Sequence, residues 1–131
     1  MLITQFYYST VVFQPNKWPF DDENKTVYYY CGGELIHINI WGPSNKVFVC
    51  GQRIGAEVNM SSSPRKLTFF VNDVEQQNYV INIPQAIRFW SYIYEPNSSF
   101  RVTRFERRSS SSAHGVTGSR GFEWGKWWEF E

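Results

Sequence analysis

Apolar and polar residues alternate over short stretches of this chain, and turn-forming residues separate the stretches. Helical periodicity is nearly absent. Short alternating segments between turn signals are the pattern of an all-β sandwich or barrel. Strands are expected over 3–13, 26–30 and 34–40. In the last, Leu35, His37 and Asn39 face one way and Ile36, Ile38 and Ile40 the other. CGG, at 31–33, and WGPSNK, at 41–46, read as turns, and 46–49 as a short extended piece. The next strand, 53–60, alternates Ile54, Ala56, Val58 and Met60 with polar residues. KLTFFVNDVEQQNYVINI reads as a hairpin. Leu67, Phe69 and Val71 share one face, and Asn72-Asp73 supplies the turn because Asn and Asp tolerate positive φ. Pro84 ends that pattern, and strands over 87–94 and 100–105 follow. Two polar segments interrupt the β pattern. QPNKWPFDDENK, at 14–25, carries two prolines and an acidic run. ERRSSSSAHGVTGSRG, the longest loop, has few apolar anchors, so mobility is expected in it.

Composition narrows the class. The chain has 131 residues, enough for one domain with its own core and no need of a metal or disulfide. Aromatic residues make up 19% of it, which favours strands. A formal net charge of +1 gives no electrostatic case for nucleic acid or an anionic membrane. No apolar run approaches the ~20 residues of a membrane span. MLITQFYYSTVVFQP lacks a basic n-region and a small-residue cleavage site, so an intracellular protein, cytoplasmic or nuclear, is expected. Cys31 and Cys50 then read as buried reduced thiols, and the sequons at Asn24, Asn59 and Asn97 as chance matches.

Catalytic constellations are poor, and no enzyme is expected. His37 lies on an alternating strand, where a satisfied structural role is the default. His114 sits in a serine-rich loop. A nucleophile drawn from Ser109–Ser112 would need a rigid turn and an oxyanion hole, and a serine run offers neither. Asp21, Asp22 and Glu23 lack the alternate spacing and glycine turn of a calcium loop, so no metal or cofactor is expected. Binding at a surface is the better reading. Trp18, in KWPF, and Trp41, in WGPS, are candidate exposed anchors, with core or loop-pinning roles as the alternative. The arginines at 101, 104, 107 and 108 fall on both faces of an extended segment and make no single patch.

Several motifs together resemble the SPRY domain. GQRIGAEVNMSSSPRKLTFFVNDVEQQNYVINIP is similar to its central signature, with Gly51, Ile54, Gly55, Met60, Leu67, Phe69, Phe70, Asn72 and Pro84 at the matching places. VYYYCGGELIHI resembles the tyrosine-rich hairpin before that signature, and IRFWSYIYEPNSSFRV the last aromatic strand pair. FERRSSSSAHGVTGSRGFEWGKWWEFE resembles the family's N-terminal part, through Gly115, Gly118, Gly121, Phe122, Gly125, Trp128 and Glu129. It is most similar to the subgroup joined to a SOCS box. That segment stands last here, so the resemblance covers nearly the whole chain in circularly permuted order, 1–105 matching the later part of the domain and 106–131 its beginning. Gln52, Asn59 and Asp73 replace the family's usual Asp, Asp and Gly.

The resemblance implies a single antiparallel β-sandwich of the concanavalin-like jelly-roll type. Permutation implies neighbouring ends, with Glu131 beside Met1, Trp128 in a sheet with its ring inward, and 1–13 as its partner strand. A monomer or a strand-swapped dimer would satisfy that order. The family's function implies a module that binds a peptide segment or protein surface through loops at one end. Carried over position by position, the binding residues are Arg107 and Arg108 with the serines after them, Tyr29 or Tyr30, and 92–95 with Tyr92 and Tyr94. The family's residues after the paired arginines are Ser-Ser-Ser here, which separates this chain from that subgroup's peptide preference. The alternative is a carbohydrate-binding module. KLTFFVNDVEQQ and HINIWG faintly resemble galectin segments, without the galectin His-Asn-x-Arg set.

Overall fold

The computed structural model describes residues 2–5, 9–13, 26–38, 40–49, 51–92 and 101–128. Among these residues the protein is all-β, without a helix. The strands are β1 (Leu2–Gln5), β2 (Ser9–Phe13), β3 (Thr26–Tyr29), β4 (Glu34–His37), β5 (Ile40–Ser44), β6 (Arg53–Asn59), β7 (Lys66–Val71), β8 (Val74–Glu75), β9 (Asn78–Ile81), β10 (Arg88–Tyr92), β11 (Arg101–Phe105) and β12 (Arg120–Glu123).

They form two sheets. One has the order β11-β1-β6-β7-β9-β12, with β8 paired to β7, and the other the order β10-β2-β3-β4-β5. A single apolar cluster draws on both. Val27, Tyr29 and Leu35 come from the five-stranded sheet, and Ile54, Ala56, Leu67, Phe69, Val71, Val80 and Phe122 from the seven-stranded one. At its centre the Tyr29 ring meets Phe48 and Phe69 edge-on, at 5.1 and 5.2 Å between centroids. That geometry places the positive ring edge on the negative face.

The hairpin at 66–81 forms as its sequence dictates. Asn72 and Asp73 turn at φ 48° and 66°, the pair of positive values that a two-residue turn between twisted strands requires. Leu67 and Phe69, on the expected inward face, are fully buried.

Several expectations are corrected. The strand expected over 3–13 is two strands in different sheets: β1 pairs with β6 and β11, and β2 with β3 and β10. Among the described residues neither pairs with 120–128, and 129–131, the rest of the expected partner, lie outside them. The strand expected over 34–40 is a hairpin, with His37 opposite Ile40 and Ile38 at φ 54°. A β-branched residue seldom adopts that conformation, so the sequence carries no turn signal there. The turn expected at 41–46 begins instead with strand β5. Finally, the pairing is not purely antiparallel, because β12 runs parallel to β9. Trp128 is packed inward at 7% exposure, but it follows β12 and stands outside any strand. Met1, Glu131 and the 14–25 segment lie outside the described residues.

The segment around β12 ties the sheets together. Its strand belongs to the seven-stranded sheet, while the Gly125 N–H donates to His37 Nε2 on β4 at 2.9 Å. Gly42, on β5, lies so close under the Trp128 ring that a Cβ there would stand 2.8 Å from it. A second tie joins the end of β5 to β9. Asn45 donates to the Asn78 carbonyl at 3.1 Å and accepts from the Asn78 N–H at 2.9 Å, so one side-chain amide completes a ladder-like pair.

Candidate functional site

The long loop after β11 has few apolar anchors, but it is held by polar ones. Glu57 on β6 is buried, although alternation assigns it to the solvent face. It accepts from the Ser111 hydroxyl and from the Ser112 N–H. Burial alone would raise its pKa; the serine hydrogen bonds outweigh that and hold the carboxyl below the usual range. Glu75 on β8 accepts from the N–H groups of His114 and Gly115, at 2.7 and 2.9 Å. The Arg120 N–H then reaches the Gln77 carbonyl, and β12 begins.

Pinned in this way, the loop walls a cleft of about 860 Å³. Its other walls are β6 with Met60, the start of β10 from 87 to 89, and the end of β11. Two rings bridge the sheets at this place: Phe89 of β10 meets Phe105 of β11 edge-on, with centroids 6.2 Å apart. Phe105 is 72% exposed and Met60 41%, so the cleft offers apolar surface to a ligand. Arg88, Arg107 and Arg108 line it with Glu57 and Glu106. Arg108 approaches Glu106 at 3.6 Å, an exposed pair of the kind that contributes little to stability. Glu57 is already engaged by the serines, so the cleft presents arginine donors beside exposed apolar side chains.

The candidate binding residues do not converge. Arg107 and Arg108 line the cleft, at the Arg88 end of β10. Tyr29 is fully buried, with its hydroxyl donating to the Lys46 carbonyl, and burial raises its pKa. It is therefore a core residue, and the expectation of a binding role for it is withdrawn. Tyr30 follows it and is exposed. Strand register sets Tyr30 far from the arginines. Thr26 pairs with Phe13 and Phe13 with Arg88, whereas Tyr29 pairs with Thr10, and the neighbouring Ser9 with Tyr92. Arg88 and Tyr92 are thus at opposite ends of β10, about 13 Å apart at strand rise. Trp41 lies on the far edge strand, β5, whose neighbour in the sheet is β4. Tyr94 and Trp18 fall outside the described residues.

Sequence reading missed Glu57, Met60, Phe89 and Phe105. Met60 groups with the apolar residues of its strand, and nothing in the 100–105 pattern marks Phe105 as part of a cleft.

His37 is structural, as its strand position suggested. It is buried, with Nδ1–H donating to the Thr26 carbonyl at 2.6 Å and Nε2 accepting from Gly125. His114 is exposed, and Cys31 is a half-buried free thiol. Among the described residues no cluster of His, Cys, Asp or Glu has the makings of a metal site. No helix there is long and apolar enough to cross a membrane. Comparison with protein-family models, with curated proteins and with solved structures finds no match to this chain.

Proposed function

We propose that this protein is an interaction module, a SPRY-like β-sandwich in permuted order, that takes a short extended segment of a protein partner into the cleft between β6, β10 and β11. The observation that carries the reading is the lining. Arg107 and Arg108 stand beside the exposed Phe105 and Met60 in one concavity. Arginine and aromatic side chains carry most of the binding energy at protein interfaces, and guanidinium groups pair in two-pronged fashion with carboxylates. The preferred segment therefore bears a carboxylate next to an apolar side chain. A core drawn from both sheets supports the sandwich.

The test is an array of immobilised acidic and neutral peptides probed with wild type, with an Arg108→Ala/Phe105→Ala double variant and with Tyr30→Ala. The cleft reading requires loss of acidic-peptide binding in the double variant only. Loss in Tyr30→Ala alone would move the site to the other end of the five-stranded sheet. A parallel glycan array with a strong, sugar-competed signal would replace the reading with the carbohydrate-binding one.

A further inference from the structure

The loop that walls the cleft carries the run Arg107-Arg108-Ser109-Ser110-Ser111-Ser112. Its four serines are not equivalent. Ser111 and Ser112 are half-buried and committed to Glu57, the first through its hydroxyl and the second through its N–H. A dianion on Ser111 would be pressed against a buried carboxylate, which repels it. Ser109 and Ser110 form an exposed bend at the cleft margin, directly after the arginines.

We infer that Ser110 is a phosphorylation site and that its phosphate closes the cleft to acidic partners. The inference of closure rests on the binding reading above; the assignment of the site does not. The modifying enzyme is a Ser/Thr kinase whose acidic subsites take arginine two and three residues before the acceptor, the places held by Arg108 and Arg107. Charge patterns of this kind are how kinases discriminate substrates. The co-reactant is a nucleoside triphosphate. The Ser110 Oγ–P bond forms as the bond from the γ-phosphorus to the bridging oxygen breaks. The hydroxyl proton passes to the base of the kinase, and a nucleoside diphosphate leaves.

The consequence follows from position. Phosphoserine adds roughly two negative charges and three strong acceptor oxygens. Beside Arg107 and Arg108 those oxygens make charge-assisted hydrogen bonds. Arg108 is held otherwise by a long, exposed contact to Glu106, which a phosphate displaces. The donors of the cleft are then satisfied from within the chain, and an incoming carboxylate meets like charge.

The experiment treats the intact protein with ATP and the catalytic subunit of an arginine-directed Ser/Thr kinase. Fragmentation mass spectrometry locates the phosphate, and a 31P NMR pH titration compares the phosphoprotein with a phosphorylated peptide of the same loop. One phosphate on Ser110 is expected, absent from Ser110→Ala and retained in Ser111→Ala. Its second ionisation should be lower in the protein than in the peptide, and salt at about 1 M should shrink the difference by screening the arginine charges. Phosphate on Ser109, Ser111 or Ser112 instead, or none, overturns the site. A titration equal to that of the peptide overturns the arginine pairing. On the acidic-peptide array, phosphorylation should weaken binding on the order of tenfold. Unchanged binding overturns closure, whereas an unmodified protein that binds no acidic peptide counts against the cleft reading alone.

Discussion

The Ser112 N–H is shared between both carboxylate oxygens of Glu57, at 2.9 and 3.1 Å. A charged group on a buried strand position thereby fixes the serine loop. Glu57→Gln keeps the shape and loses the charge that strengthens these bonds, so unfolding free energy should fall by about 2 kcal/mol. The pH dependence has a definite sign. The folded pKa lies below the ordinary carboxylate value, because the serine hydrogen bonds outweigh the cost of burial. The contribution is therefore full at neutral pH and shrinks as pH falls through the carboxylate range toward the folded pKa. Urea denaturation of wild type and variant should show a gap that narrows between about pH 5 and about pH 3. A constant gap would show that the charge is not what holds the loop.

His37 has the opposite charge chemistry and the same acid sensitivity. Burial lowers its pKa, against the opposing effect of the bond to the Thr26 carbonyl. Its ring lies between Trp124 and Trp128, at 4.9 and 5.0 Å between centroids. Protonation at Nε2 sets a donor against the Gly125 N–H. Its stabilising effect is present above the ordinary histidine pKa of about 6.5 and is lost as pH falls below that value. The Gly125 amide should therefore lose hydrogen-exchange protection on acidification before the β7 amides do. Tryptophan fluorescence should change in the same window, and His37→Gln should remove that transition.

These two residues mark how far the sequence was readable. The turn at Asn72-Asp73 was legible because residue type and backbone need agree there. At Ile38 they disagree, and an apolar run concealed a hairpin. Alternation placed Glu57 outward because it has no means of seeing a distant loop fold over that face. The split of 3–13 between two sheets is likewise a tertiary event: each half alone reads as an ordinary strand. The paired arginines, which line the cleft, were identifiable as candidate residues. Their neighbours Phe89 and Phe105 were not, because only strand order brings β10 and β11 to one cleft.

Two glycines separate strain from crowding. Gly33, at φ 103°, has the Asn45 carbonyl oxygen only 2.5 Å from where a Cβ would stand. At Gly51, whose φ is 90°, an added Cβ would meet nothing within 4 Å. Gly51→Ala should cost about 1 kcal/mol, the conformational penalty alone. Gly33→Ala adds a clash with backbone that has no freedom to swing away, and should cost at least about 3 kcal/mol. Thermal unfolding of the two variants checks the order. Equal losses would mean that the turn at Gly33 moves aside.

The Asn45–Asn78 pair yields the sharpest chemical test, because its two bonds run in opposite directions. Both residues are buried, and the Asn45 side chain gives one hydrogen bond to the Asn78 backbone and takes another from it. Asn45→Ala leaves a buried N–H and a buried carbonyl without that partner, at about 2 kcal/mol. Asn45→Asp keeps the acceptor but turns an oxygen toward the Asn78 carbonyl. At neutral pH the variant should be at least as unstable as Asn45→Ala, since a buried charge then faces a lone pair. Protonation supplies an O–H that donates to the same carbonyl. The folded pKa of the new carboxyl is thus raised, and its deficit against wild type should shrink as pH falls through that pKa. Denaturation of all three proteins at neutral and mildly acidic pH decides the matter. An Asn45→Asp deficit that does not shrink on acidification would show that the donated bond contributes nothing to holding β5 against β9.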